Sequence, residues 1–184
     1  MKRLLSHFLE AHTSSSNELI LGTNRQPQVR VRQRPNPTIE IGNIDSSVAL
    51  TLCDSESHDM PIVYCSERFE TLTGYSSREI LGRNCRFLQH PPADQPVQLQ
   101  LDASQEQEIR KTNAIARMAL RDKLPKGEEA QVKLVNFKKD SSLFINILTV
   151  IPILWDDANV KEKHGKKRKY LVGFQVDAQH GVFK

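Results

Sequence analysis

From residue 47 to 53 apolar and small residues alternate. Val48, Leu50 and Leu52 fall on one side, and Ala49, Thr51 and Cys53 on the other. This period of two predicts a strand, and Pro61–Cys65 predicts a second, short one after a turn at 54–60. The pattern then changes. Ser66 can N-cap a helix running through Thr73, with Gly74 at its C-terminal stop. Ser76-Ser77-Arg78-Glu79 forms a capping box for a second short helix closed by Gly82, and Asn84 is placed to cap a third, the one carrying Cys85. Residues 90–103, with Pro91, Pro92 and Pro96, read as an irregular loop. A longer helix is expected over 104–123, with an apolar stripe of Ile109, Ile115, Ala116, Ala119 and Leu120, ended by Leu124-Pro125-Lys126-Gly127. Strands follow at 129–137, 142–153 and 168–177, the first two joined by a tight turn at Lys139-Asp140-Ser141. Five strands with helices between the second and third predict an α+β layer, an antiparallel sheet with helices on one face.

Alternation also sorts the later strands into faces. Val132, Leu134 and Asn136 share one, as do Phe144, Asn146, Leu148 and Val150, and Leu171, Gly173 and Gln175. Each of these otherwise apolar faces carries one carboxamide, and a buried amide needs partners. A planar heterocycle with alternating donors and acceptors would satisfy all three together; local backbone bonds are the plainer alternative for any one. The opposite faces, including Val135, Phe137, Ile145, Ile147, Ile151, Val172, Phe174 and Val176, are apolar enough to need a cover. Residues 37–46, an N-terminal helix or a second copy of the chain are the candidates.

Composition narrows the setting. The 184 residues are expected to form one domain, 47–178, with an extension and cap at 1–46 and a short tail at 179–184. Leu4, Leu5, Phe8 and Leu9 allow a short amphipathic helix within 1–12. Three cysteines make neither a disulfide framework nor a metal spacing, and the six histidines show no metal spacing either. Cys53 and Cys65 are read as core residues of strands, with oxidative cross-linking a lesser alternative. Without a membrane-length apolar run or signal-peptide pattern, the expected location is intracellular, cytoplasmic and/or nuclear. The net charge of +4 is modest. The basic run 161–169 is read first as a solvated hairpin loop, ahead of a nucleic-acid or membrane contact.

The chemistry concentrates in Gly82-Arg83-Asn84-Cys85-Arg86-Phe87-Leu88-Gln89. It offers a soft nucleophile, a fixed cation and two amides that both donate and accept. If the stretch is helical, residues four apart stack, so Cys85 and Gln89 are expected on one face. A phosphate-bearing heterocyclic ligand could use all of these groups.

This octapeptide closely resembles the signature of LOV domains, the flavin-binding blue-light sensors of the PAS superfamily. Arg34-Pro35-Asn36-Pro37, Ile39-Glu40-Ile41-Gly42 and Asp45-Ser46 look like the segment before the core in fungal LOV proteins of the Vivid and White Collar kind. Leu134-Val135-Asn136-Phe137-Lys138-Lys139, Phe144-Ile145-Asn146 and Gly173-Phe174-Gln175 resemble the family's flavin-contacting segments. The resemblance implies a PAS/LOV fold enclosing a flavin. In it Asn136, Asn146 and Gln175 would contact the isoalloxazine, Asn84 and Gln89 would complete the polar surround, and Ile62 and Leu148 would wall the ring. Arg86 would meet the phosphate. Arg117-Met118-Ala119-Leu120 resembles a second phosphate motif, with Arg110 as its alternative. The long segment between Gln89 and Arg117 favours FAD, with FMN as the other option.

By the same resemblance, blue light drives the Cys85 sulfur reversibly onto flavin C4a and protonates N5, and Gln175 rotates its amide in response. The signal would leave through the N-terminal cap and a light-dependent homodimer, or through a PAS/LOV-containing transcription-regulator partner. The alternative is a flavin-based redox sensor or adaptor. No nicotinamide site or acid–base constellation is evident, so no enzyme activity and no substrate are expected.

Overall fold

The computed structural model describes residues 37–39, 48–93, 101–156 and 167–178. The expected helix in 1–12, the rest of the extension through 36, cap residues 40–46, most of the basic loop and the tail lie outside the described residues. Five strands form one antiparallel sheet in the order β2-β1-β5-β4-β3. They are β1 (Ala49–Asp54), β2 (Ile62–Cys65), β3 (Ala130–Phe137), β4 (Leu143–Asp156) and β5 (Lys167–Asp177). Helices α1 (Glu67–Thr73), α2 (Ser77–Ile80) and α3 (Ala103–Lys123) lie between β2 and β3 in the chain, with a 3-10 helix, Cys85–Gln89, before α3. This is the expected α+β arrangement.

The caps explain why such short helices hold. The Ser66 side chain accepts from Phe69 N, and Gly74 ends α1 in the left-handed conformation that glycine tolerates. Ser76 and Glu79 make the capping box of α2. Ser66 also ties α1 to the sheet: its Oγ donates to the Val48 carbonyl at 3.0 Å and accepts from Leu50 N at 2.9 Å.

The strand faces divide as the alternation predicts. On the outer face Leu50, Leu52, Ile151, Ile153, Val172 and Phe174 form one buried cluster. On the inner face Ala49, Cys53 and Ile62 pack with Phe69, Ile80 and Leu88 from the helices and Tyr75 from the link between α1 and α2. Val132 and Leu134 pack against Ala116 of α3, with Leu148 beside them.

Two details of the helices differ from expectation. Ile115 is not on the apolar stripe of α3; it is 61% exposed, near Met118 at 71%. The face that packs on β3 carries Asn113 and Ala116, and Ile115 is rotated about 100° from Ala116, away from the sheet. The Cys85–Gln89 segment is 3-10 rather than α. With three residues per turn, Cys85 is eclipsed by Leu88, and Gln89 points elsewhere.

Candidate functional site

The octapeptide is fastened to the sheet before its chemistry begins. Ile62 N donates to the Arg83 carbonyl at 2.8 Å and Gly82 N donates to the Ile62 carbonyl at 2.9 Å, so the segment pairs with the start of β2. The Asn84 side chain caps the 3-10 helix by accepting from Arg86 N at 2.9 Å and donates to the Asp59 carbonyl at 2.5 Å. The Arg83 guanidinium lies 4.2 Å over the Phe87 ring, which Tyr75 meets edge-on with centroids 5.0 Å apart. These contacts fix the direction in which Cys85 leaves the turn.

Cys85 points at β1. Its sulfur is 3.7 Å from Cys53 Sγ and 3.9 Å from Thr51 Oγ1. Cys53 sits where the β1–β2 register shifts, an irregularity of the kind that re-aims a side chain. Its thiol is pushed well up from the ordinary range by its hydrogen bond to Cys85 and then by burial. The same bond pulls the Cys85 thiol down, against the cost of burying its charge, with Thr51 adding to the lowering. Cys65 is pushed up to about 11, chiefly by burial.

Thr51 extends this chain of contacts to β5. Gln175 Nε2 donates to Thr51 Oγ1 at 3.2 Å and to the Gly173 carbonyl at 3.4 Å. Gly173 makes the approach possible: a Cβ there would sit 2.9 Å from Thr51 Oγ1 and 3.1 Å from Gln175 Nε2. Farther across the same face, Asn146 Nδ2 donates to Asn136 Oδ1 at 2.9 Å, and Asn136 Nδ2 donates to the Val135 carbonyl at 3.3 Å. Two acceptors are left over. Asn146 Oδ1 and Gln175 Oε1 are buried and have no hydrogen-bond partner. Leu148 is paired with Gln175 across β4 and β5, so Asn146 and Gln175 are diagonal neighbours on one face. A buried amide oxygen without a donor costs roughly 1–3 kcal/mol. An N–H-bearing ring edge lying on this face would relieve such an oxygen.

The cations are distributed rather than gathered. Arg86 is paired with Asp59, and Arg110 with Glu106 at 2.8 Å. Arg117 Nη1 donates to Gln89 Oε1 at 2.9 Å, which brings together two of the expected site residues. Gln89 is therefore turned towards α3 while Cys85 is turned towards β1. The shared face expected for an α-helix is not formed, because the turn is 3-10. Ile62 lies in the cluster that contacts Cys85, and Leu148 in the one beside α3.

Three residues of consequence escape sequence reasoning. Thr51 carries a signal that could have found it, as the polar member of the inward row of β1. Asn113 is a buried amide on the packed face of α3. It donates to the Val135 carbonyl at 2.9 Å and accepts from Val135 N at 2.8 Å, satisfying both groups that this one residue of edge strand β3 turns outward. Glu129, 3% exposed, accepts from Thr38 N at 3.0 Å, Ile39 N at 3.0 Å and Thr38 Oγ1 at 3.4 Å, all on one carboxylate oxygen. Its partners lie some ninety positions earlier, and no local pattern announces them. Among the described residues no cluster of His, Cys, Asp and Glu could hold a metal ion, and no helix is long and apolar enough to cross a membrane.

Residues 47–177 match the PAS domain family. The chain belongs to that family, in its branch of LOV photoreceptor domains of the fungal kind. Among curated proteins it is similar to White collar 1 protein of Neurospora crassa, 38% identical over 80% of this chain and 11% of that one. It is also similar to Blue light receptor lreA of Aspergillus flavus, 40% identical over 80% of this chain and 15% of that one. The chain thus spans only a small part of these relatives. Among solved structures, the light-state dimer of the fungal blue-light photoreceptor Vivid is 40% identical, with 78% of this chain and 86% of that one covered and a TM-score of 0.58. A fungal LOV domain photoreceptor, whose structure is linked to a pathway integrating blue light and oxidative stress, is 40% identical, with 78% and 84% covered and a TM-score of 0.56.

Proposed function

We propose that this chain senses blue light through a flavin held between the inner sheet face and the 3-10 helix, with Cys85 as the photochemical thiol. The observation that carries the reading is the pair of orphaned buried oxygens, Asn146 Oδ1 and Gln175 Oε1, on the face that Cys85 adjoins. A flavin has the chemistry to fit: its imide N–H can donate to a carboxamide oxygen, and its carbonyls and ring nitrogens accept from amides such as those of Asn136 and Gln89. The bound flavin would absorb the light and present an electrophilic ring carbon to sulfur. The protein supplies the rest. Cys85 would offer its sulfur to that carbon, and Ile62 and Leu148 would exclude water from the ring. Arg117 and Arg86 keep donors to spare for phosphate, since a guanidinium carries five, and Arg110 is the alternative partner. FAD is favoured over FMN by the length of the segment between Gln89 and Arg117.

Output follows from Gln175. The Gln175 amide, whose buried Oε1 has no partner, would re-orient towards an N–H formed at a bound ring. That breaks the bond to Thr51 and perturbs β5, whose outward neighbours Phe174 and Val176 belong to the other face. The cap expected at 37–46, of which Glu129 holds Thr38 and Ile39, would re-dock, and a symmetric dimer or a PAS-containing transcription regulator would read the change.

The test is the absorption spectrum of the purified chain before and after blue light. The blue flavin band is expected to bleach and recover in the dark. Cys85→Ala should keep the flavin and lose the reversible bleach, which also separates this reading from a redox sensor that needs only the ring. A Cys85→Ala protein that bleaches and recovers like the native chain would overturn the assignment.

A further inference from the structure

The light reaction proposed above gives Cys53 no part, yet it is the thiol nearest Cys85: its sulfur lies 3.7 Å from Cys85 Sγ, in a buried cluster that holds Cys65 and Tyr75 among apolar side chains. The structure assigns to Cys53 and Cys85 the role of an oxidant-sensitive dithiol, closing into a reversible disulfide that withdraws Cys85 from photochemistry. This rests on the reading of Cys85 as the photochemical thiol, although formation of the bond itself does not.

Geometry and the division of roles both support the pair. Closing from 3.7 Å to a disulfide length of about 2.05 Å asks each sulfur to move only about 0.8 Å. Neither partner sits on a long rigid helix. Cys85 opens a single 3-10 turn, and Cys53 lies at the register irregularity of β1, where the backbone has some latitude. The two thiols are also unlike. Cys85 is partly exposed and is the one whose thiolate its neighbours favour, so it meets the oxidant first; Cys53 is buried and kept protonated. That is the asymmetry of an attacked and a resolving cysteine.

The oxidant required is a peroxide. The Cys85 sulfur attacks one oxygen of hydrogen peroxide, the O–O bond breaks, and Cys85 becomes a sulfenic acid with release of one water. The Cys53 sulfur then attacks the Cys85 sulfur, the S–O bond breaks, and a second water leaves with the Cys53 proton. Two thiols have lost two electrons, and the peroxide has gained them. Thiol–disulfide exchange with a small dithiol restores both groups.

The flavin-loaded full chain is treated in the dark with hydrogen peroxide and then analysed by intact mass, by peptide mapping without reductant, and by its response to blue light. The expected result is a loss of about 2 Da, a Cys53–Cys85 linked peptide, and loss of bleaching that dithiothreitol restores. Cys53→Ser should show no linked peptide, with Cys85 stopping at a sulfenic acid that dithiothreitol still reduces or passing on to a sulfinic acid that it does not; Cys65→Ser should behave as the native chain. Mapping of the native chain decides the matter even if Cys53→Ser folds poorly. A sulfenic or sulfinic Cys85 beside an unmodified Cys53, or two intact thiols after treatment, would overturn the proposal. A reduced chain that never bleaches would instead refute the photochemical reading, with the linked peptide still deciding the dithiol.

Discussion

Glu129 allows the docking of the cap to be measured amide by amide. The backbone N–H groups of Thr38 and Ile39 both donate to its Oε2 at 3.0 Å, so their hydrogen exchange reports these bonds directly. Hydrogen bonds to a charged group contribute about 1.5–3 kcal/mol each. Glu129→Ala removes the acceptor, and exchange at each amide is expected to accelerate by roughly 10- to 150-fold, since 1.36 kcal/mol corresponds to a factor of ten. Glu129→Gln keeps an acceptor oxygen and loses the charge. A charge-assisted bond is roughly twice as strong as a neutral one, so the acceleration should be about 3- to 12-fold. The assay is exchange followed by NMR or mass spectrometry in the dark, with the amide of Leu134 in β3 as an internal control. The order native, Glu129→Gln, Glu129→Ala is the signature of the carboxylate clamp. Unchanged exchange at Thr38 and Ile39 in Glu129→Ala, with β3 also unchanged, would refute the reasoning. If the cap also carries the light signal, illumination of the native chain should move these two amides towards the rates of the Glu129→Gln variant.

Asn113→Ala leaves Val135 N without its acceptor and the Val135 carbonyl with only Asn136 Nδ2, and should lower stability by roughly 1–3 kcal/mol, several degrees in Tm, while Ile115→Ala on the exposed side should change it by under about 0.5 kcal/mol; equal shifts in thermal melts would contradict this. Gln175→Leu should still bleach in blue light but lose most of the light-dependent change in association, read by light scattering of dark and lit samples; a native-like change would place the output elsewhere. Glu79 is pulled down to about 2 by its hydrogen bond to Lys139 and by the capping bonds of Ser76. Its folded pKa is depressed, so its stabilising contribution is present above pH 4.5 and fades as pH falls towards 2. Glu79→Gln should therefore flatten the acid limb of a stability–pH curve, and an unchanged limb would count against the pair.

What can be read in the sequence is whatever repeats with a short period. The alternation in β4 and β5 puts Asn146, Leu148 and Gln175 on one face without reference to any fold, and the caps at Ser66, Ser76 and Asn84 follow from side chains that reach only two or three residues. Cys85 stands out by its neighbours. The 3-10 geometry is not legible, because five residues cannot distinguish a period of 3.0 from 3.6, and that is why Gln89 is expected beside Cys85 and instead meets Arg117. Ile115 misleads because hydrophobicity alone says nothing of which side a helix turns to its sheet; the amide at Asn113, which a stripe-based reading discards as polar, marks that side. The link from Glu129 to Thr38 and the thiol contact between Cys53 and Cys85 join segments far apart in the chain, and only the folded register brings them together.

The amide of Asn113 has one more effect. Strand β3 is the last of the sheet, and an edge strand offers its outward N–H and C=O groups to any extended chain that drifts past. At Val135 both are already occupied, by a side chain that presents one donor and one acceptor as a sixth strand would. A single residue on α3 thus blocks continuation of the ladder at the middle of the edge. Variants that lose it should not merely melt earlier. They should become prone to edge-to-edge growth at high concentration, with aggregates forming from chains that are still largely folded.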